Sequence, residues 1–278
     1  MAEPATPMGM LHGISLGPGD PGLITRAAWA ALERRDAVWV YPVRSGKTPS
    51  YALDIVQRVG LPLPETHTPL VFPMTHDGEK LARAWLKAAH TVLPWLQAGR
   101  DVLFLVEGDA STYATFGHLA RTVRGLDELV PVRVTAGVNS FTAACADVGE
   151  PFAEQDDTVA IVPAAYGVGA VDRLLPDFDT LVLMKIKPLI EDLLDWLQAR
   201  ELLAGAHFVE RVGAQDERRL SGPELLTLRG SKVSYLSLLI VKNPHRVRGE
   251  RIKGCLKKDG PASSQNAQDR QHAPETAP

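Results

Sequence analysis

Short β-rich runs recur along this chain with helix-length segments between them, and that alternation constrains the fold more than any other feature. The pattern predicts strands at Met10–Leu16, Ala37–Tyr41, Pro69–Phe72, Asp101–Val106 and Pro131–Thr135. It predicts four more at Thr158–Val162, Thr180–Met184, Ala206–Glu210 and Tyr235–Val241. Helical periodicity falls between them at Leu23–Arg35, Glu79–Ala98, Thr112–Val123, Ser140–Val148 and Pro188–Leu203. In Glu79–Ala98, Leu81, Trp85, Ala89, Val92 and Leu96 share one face, Gly99 ends the pattern, and Pro94 is a candidate kink. Parallel strands need crossovers long enough for a helix, so this alternation reads as an α/β fold with mostly parallel strands.

A chain of 278 residues is long for one compact domain and comfortable for two. With 45% hydrophobic and 23% charged residues, disorder is excluded as the dominant state. The net charge of -3 gives no global signal for nucleic acid. Cys145 and Cys255 cannot make a secreted disulfide framework. The longest apolar runs, Val102–Val106 and Leu236–Val241, are far too short to span a membrane. Met1–Pro7 is a polar lead-in without the pattern of a signal peptide, so the expectation is a soluble, cytoplasmic protein. The expected organisation is an N-terminal α/β domain over 1–137, a C-terminal α/β domain over 138–243 and a tail over 244–278. The tail is disordered by composition: Lys and Arg dominate from Lys242 to Lys258, and Pro, Ala, Gln and Ser follow.

Two loops carry the functional signal. In Leu11-His-Gly-Ile-Ser-Leu-Gly-Pro-Gly-Asp-Pro-Gly-Leu23, a strand enters a glycine-dense turn, with Asp20 and Pro21 suited to opening a helix. Gly17–Gly22 matches the dinucleotide fingerprint formally, but two details argue against a nicotinamide enzyme. Pro18 removes a backbone donor, and no acid ends the second strand, which closes Val40-Tyr41-Pro42. The second loop, Glu107-Gly108-Asp109-Ala110-Ser111-Thr112-Tyr113, follows the continuous apolar strand Val102–Val106. Ligands of open α/β sheets sit at such strand ends.

Two further segments, Ala136-Gly-Val-Asn-Ser-Phe-Thr-Ala-Ala144 and Thr180–Lys187, follow in order, then Val209–Gly213 and Tyr235–Leu239. This succession resembles the tetrapyrrole (class III) methyltransferases over residues 9 to 242. Within that family it is most similar to the branch that methylates precorrin-2 at C20. That finer likeness is carried by Glu107-Gly-Asp-x-Ser111-x-Tyr113-x-Thr115-Phe116 and Leu183-Met-Lys185. Ala110 stands where members usually carry proline. The resemblance implies two αβα domains with mixed, mostly parallel sheets, a cofactor cleft between them, and a homodimer. It implies S-adenosylmethionine as methyl donor, S-adenosylhomocysteine as its product, and a tetrapyrrole substrate. Pro18, Glu107, Gly108, Asp109, Thr112, Asn139, Ser140, Lys185, Val212 and Ser237 are then the donor-site residues. Asp109, a short carboxylate at a strand's carboxyl end, is the candidate for a direct catalytic role as proton acceptor. Substrate carboxylates call for cations, with Arg26, Arg44, Lys187 and Arg211 as the leading candidates beside Lys47, His67 and His76. No Cys, His or carboxylate spacing supports a metal. The rivals are a family member acting on another corrin carbon, on the cobalt-bearing substrate or on RNA, and a nicotinamide-binding domain.

Overall fold

The computed structural model describes residues 7–248. The described residues up to Arg246 belong to one compact unit, and of the second unit, Val247–Pro278, only Val247 and Arg248 are described. Cys255 and the expected tail beyond Arg248 lie outside the described residues.

The first of two sheets holds β1 (Leu11–Ser15), β2 (Val38–Val43), β3 (His67–Val71), β4 (Val102–Val106) and β5 (Val132–Thr135) in the order β3-β2-β4-β1-β5. Every pair in it is parallel, so all five strands end on the same edge. The loops after β1, β4 and β5 are therefore neighbours. β4 is buried along its whole length because both faces are covered. Val102, Phe104 and Val106 pack with α3 (Gly78–Gln97) and α4 (Phe116–Leu126). Leu103 and Leu105 pack with α1 (Arg26–Leu32) and α2 (Tyr51–Arg58) on the other face.

The second sheet holds β6 (Val159–Pro163), β7 (Thr180–Met184), β8 (Ala206–Glu210), β9 (Arg218–Ser221) and β10 (Ser237–Lys242) in the order β6-β7-β10-β8-β9. It is mixed. β6 and β7 are parallel, whereas β10 runs antiparallel between β7 and β8, and β9 closes a hairpin on β8. Phe141, Ala144 and Cys145 of α5 (Ser140–Val148) cover one face through Val182, Val209 and Ile240. On the other face, Val171 of α6 (Val168–Leu174) and Leu193, Leu194 and Leu197 of α7 (Ile190–Ala199) meet Leu181, Leu183, Phe208 and Leu239.

One strand and two α-helices were not expected from the sequence. β9 reads Arg-Arg-Leu-Ser and has no alternation to speak of. α2 has only eight residues, opened where the Ser50 hydroxyl accepts the Leu53 N–H. α6 opens on Val-Gly-Ala, a weak helix start. Two expected helices also begin elsewhere. The segment from Leu23 splits into a 3-10 turn at Pro21–Leu23, capped by Asp20, and α1, capped by Thr25. The helix expected from Thr112 starts at Phe116, because Tyr113 takes a left-handed turn at φ 51°. α3 runs through Pro94, whose carbonyl still accepts the Ala98 N–H at 3.0 Å. Among the described residues no helix is long and apolar enough to cross a membrane.

One crossing brings the loop after β1 against the loop after β8. A Cβ on Gly19 would lie 2.2 Å from the Val212 carbonyl oxygen, and one on Gly213 only 2.3 Å from the Asp20 nitrogen. Glycine is required at both positions for the two backbones to pass. The glycine-dense turn thus serves this contact, beyond any approach to a ligand.

Candidate active site

A cleft of about 220 Å³ opens where the loops of the first sheet face strand ends of the second. Pro18 comes from the loop after β1, Glu107, Gly108, Asp109, Thr112 and Tyr113 from the loop after β4, and Asn139 to Phe141 from the start of α5. Met184 and Lys185 end β7, Arg211 and Val212 follow β8, and Tyr235 to Leu238 lead into β10. Pro18, Glu107, Gly108, Asp109, Thr112, Asn139, Ser140, Lys185, Val212 and Ser237 all line this one cleft. Parallel register gathers the first seven on one sheet edge. The other three arrive because β7 and β8 end at the same side as β10 begins.

The backbone is bent hard around the cleft. Tyr113, Lys185 and Arg211 have φ of 51°, 57° and 56°, and all three line it. Each left-handed turn of a non-glycine residue costs about 1–2 kcal/mol and is held only where the surroundings demand it. Tyr113 shows the demand, since its hydroxyl donates to the Ile161 carbonyl of β6 at 3.2 Å.

Asp109 is differently placed from a free base. It is 6% exposed, and its Oδ1 accepts the Ser111 N–H at 2.8 Å and the Ser111 hydroxyl, with the Thr112 hydroxyl at 3.5 Å. Its Oδ2 accepts the Gly137 N–H at 2.7 Å. Burial alone would raise its pKa, but these donors together hold the carboxyl below the ordinary range. Asp109 ties two loops together. Ala110, where the resemblance expects proline, supplies an N–H that the Ser15 hydroxyl accepts at 2.9 Å, so the loop is pinned without a pyrrolidine ring.

Glu107 has the opposite character. Burial pushes its pKa up to about 7, against the pull of the Arg211 and Arg44 guanidinium groups. It faces Tyr235, whose own hydroxyl is pushed up by burial, with Arg44 opposing and Glu107 adding to the rise. The arginines and tyrosines interleave. Arg211 lies over Tyr51 at 5.4 Å, and Arg44 over Tyr51 at 5.6 Å and over Tyr235 at 5.3 Å. Arg211 is also paired with Asp216 at 2.6 Å.

Comparison with known proteins settles what kind of chain carries this cleft. Residues 10–230 match the model of the tetrapyrrole (corrin/porphyrin) methylases. The chain belongs to that family. The cobalamin biosynthesis protein CobIJ of Mycobacterium bovis is 29% identical over 247 residues, which cover 86% of this chain and 47% of that protein. The chain therefore spans about half the length of this relative. A precorrin-2 C(20)-methyltransferase of Sinorhizobium sp is 29% identical, covering 84% of this chain and 95% of that one. In fold, uroporphyrin-III C-methyltransferase of Thermus thermophilus, solved with S-adenosylhomocysteine, superposes with a TM-score of 0.57 at 23% identity, over 84% and 97% of the two chains.

In this tetrapyrrole methylase the expected substrate cations divide. Arg211 lines the cleft, and Arg44 stacks on the tyrosine at its wall. Arg26 is exposed at the start of α1 and Lys187 in the turn before α7; neither borders the cleft, because each lies beyond the strand end that reaches it. His67 bonds Tyr41 at 3.2 Å on the edge strand β3, and Lys47 and His76 are exposed on loops away from the cleft. Among the described residues no group of three or more His, Cys, Asp or Glu is placed to hold a metal. Sequence reasoning did not assign Tyr113, Phe141, Met184, Tyr235, Leu236 or Leu238 to the site, nor Tyr51 on α2 beside it; the signal available for the cleft residues was that each is adjacent to, or within a few residues of, a position the resemblance had already marked.

Proposed function

We propose that this methylase transfers the methyl group of S-adenosylmethionine to C20 of precorrin-2, giving precorrin-3A in cobalamin biosynthesis. The observation that carries the reading is the convergence in one cleft of the ten residues that the resemblance assigns to the donor. Their chemistry suits that molecule. Asn139 stands at the N-cap position of α5 yet its side chain makes no cap bond, which leaves the amide for a ligand. With the hydroxyls of Ser140 and Thr112 it would hold the polar groups of the nucleoside and amino-acid ends. Met184, Val212 and Leu238 offer apolar wall for the base. Bound there, the donor supplies a sulfonium methyl group open to in-line displacement.

The chain's part is then mostly positioning. The methylated carbon of the substrate must lose a proton, and we assign its acceptance to Glu107 in place of Asp109. Glu107 is in the cleft, titrates near neutrality and receives no hydrogen bond from the described residues that would hold its proton elsewhere. Arg44 and Arg211 are the groups to receive the substrate's acetate and propionate arms. The same reading keeps the homodimeric, cytoplasmic enzyme that the resemblance implies, and sedimentation equilibrium tests the dimer.

The decisive experiment supplies precorrin-2 and a ¹³C-methyl donor, with mass spectrometry for the added methyl and NMR for its position. Label at C20 is the expected result. Label at another carbon, or transfer only to the cobalt-bearing macrocycle, would replace the substrate assignment while leaving the family intact.

A further inference from the structure

Ser15 ends β1 between β4 and β5, and it is 0% exposed. Its hydroxyl donates to the Thr135 carbonyl at the end of β5 and accepts the Ala110 N–H from the loop after β4 at 2.9 Å. Ala110 is 4% exposed, so this amide has no water to turn to if the hydroxyl is removed. The two groups so joined begin the two loops that frame one side of the cleft. Gly108 to Thr112 surround Ala110, and Asn139 and Ser140 follow Thr135 by a few residues. The Asp109 to Gly137 bond is a second tie between the same loops.

We propose that Ser15 is a positioning residue for the methyl donor. Without touching the cleft, its hydroxyl sets the separation of the Gly108–Thr112 and Asn139–Ser140 loops, and through them the affinity for the donor. The inference rests on reading the cleft as the donor site. A neighbour on the same strand gives the control. His12 bonds the hydroxyl of the same Thr135 at 2.8 Å and is also buried, at 8% exposed, but it sits three residues earlier on β1, opposite Leu103, and its ring makes no hydrogen bond to the loop after β4 among the described residues. Loss of that bond should soften the sheet without moving the cleft.

The test compares Ser15→Ala, Ser15→Cys and His12→Leu with the unmodified protein, by calorimetry with S-adenosylhomocysteine, steady-state kinetics and thermal melting. Ser15→Ala should weaken S-adenosylhomocysteine binding about tenfold, a change of about 1.4 kcal/mol. It should raise the KM for S-adenosylmethionine to match, and leave the KM for the tetrapyrrole and kcat at saturating donor within about twofold. Ser15→Cys keeps the shape with a weaker donor, so it should fall between; it carries the test if the alanine variant does not fold. His12→Leu should lower the melting temperature and leave the affinity unchanged. An unchanged affinity in a folded Ser15 variant, or an equal loss in His12→Leu, overturns the proposal. If the unmodified protein fails to bind S-adenosylhomocysteine, the donor-site reading falls first and this inference with it.

Discussion

At the scale of single residues, two carboxylates two positions apart meet opposite environments. Glu107 is half-buried near two arginines with its proton held until about pH 7, while Asp109 is ringed by donors and stays ionised. Activity that needs ionised Glu107 should rise as pH passes through about 7. Glu107→Gln should flatten that limb of the kcat/KM profile and lower the rate by about 10²–10⁴, the usual worth of a general base. The stability sign is opposite. The unfolded chain ionises this carboxyl near 4.5 and the folded chain near 7, so stability is lost as pH rises between them. Melting of Glu107→Gln against the unmodified protein should therefore favour the variant at pH 8 and show less difference at pH 4. For Asp109→Asn, an NH₂ group meets either the Ser111 donors or the Gly137 N–H. Affinity for S-adenosylhomocysteine and melting temperature should fall together, with a cost of about 1.5–3 kcal/mol. A variant that binds normally but turns over slowly would return Asp109 to the role of base. The sequence could rank these two acids only by position. What separates them is what surrounds each, the Gly137 N–H at Asp109 and the Arg211 charge near Glu107, and both neighbours are distant in the chain.

At the scale of elements, the strands were legible and their termini less so. β4 and β7 were readable because an unbroken apolar run has few other destinations, and α5 because its apolar face and Gly149 stop mark both ends. β9 was not, since a polar edge strand draws its pairing from β8 and leaves no pattern of its own. The cleft side of each element was visible as glycine, proline and acid at strand ends, whereas the left-handed turns at Lys185 and Arg211 are imposed by tertiary contacts on residues with no intrinsic taste for them. The loop after β4 supplies the prediction at this scale. Gly108 has φ 79°, and the space where a Cβ would point is empty. Gly108→Val adds backbone strain of about 1–2 kcal/mol and puts a branched side chain into open space beside the cleft. Circular dichroism should stay native while calorimetry shows S-adenosylhomocysteine binding abolished; retained affinity would remove this loop from the site.

At the scale of the whole molecule, the cleft belongs to neither sheet alone. In the interleaved cluster, Tyr51 and Arg44 come from the first sheet's side and Arg211 and Tyr235 from the second's, and the Tyr113 hydroxyl reaches β6 from the loop after β4. The Gly19–Gly213 crossing is the tightest of these joints. Gly213→Val would drive a side chain into the Asp20 backbone, so both melting temperature and donor affinity should drop. A variant with unchanged affinity would show that the two loops can part without disturbing the site. That crossing also has a consequence for how the protein is made. Pro18 leaves the ribosome long before Val212, yet each is a wall of the same cleft. A nascent chain carrying the whole first sheet still lacks most of the lining of this cleft, and a ligand of the cleft has no complete site until β8 and β10 emerge. Ligand binding therefore cannot guide the early folding of this chain; it can reward only the last step, when the two loops first slide past each other.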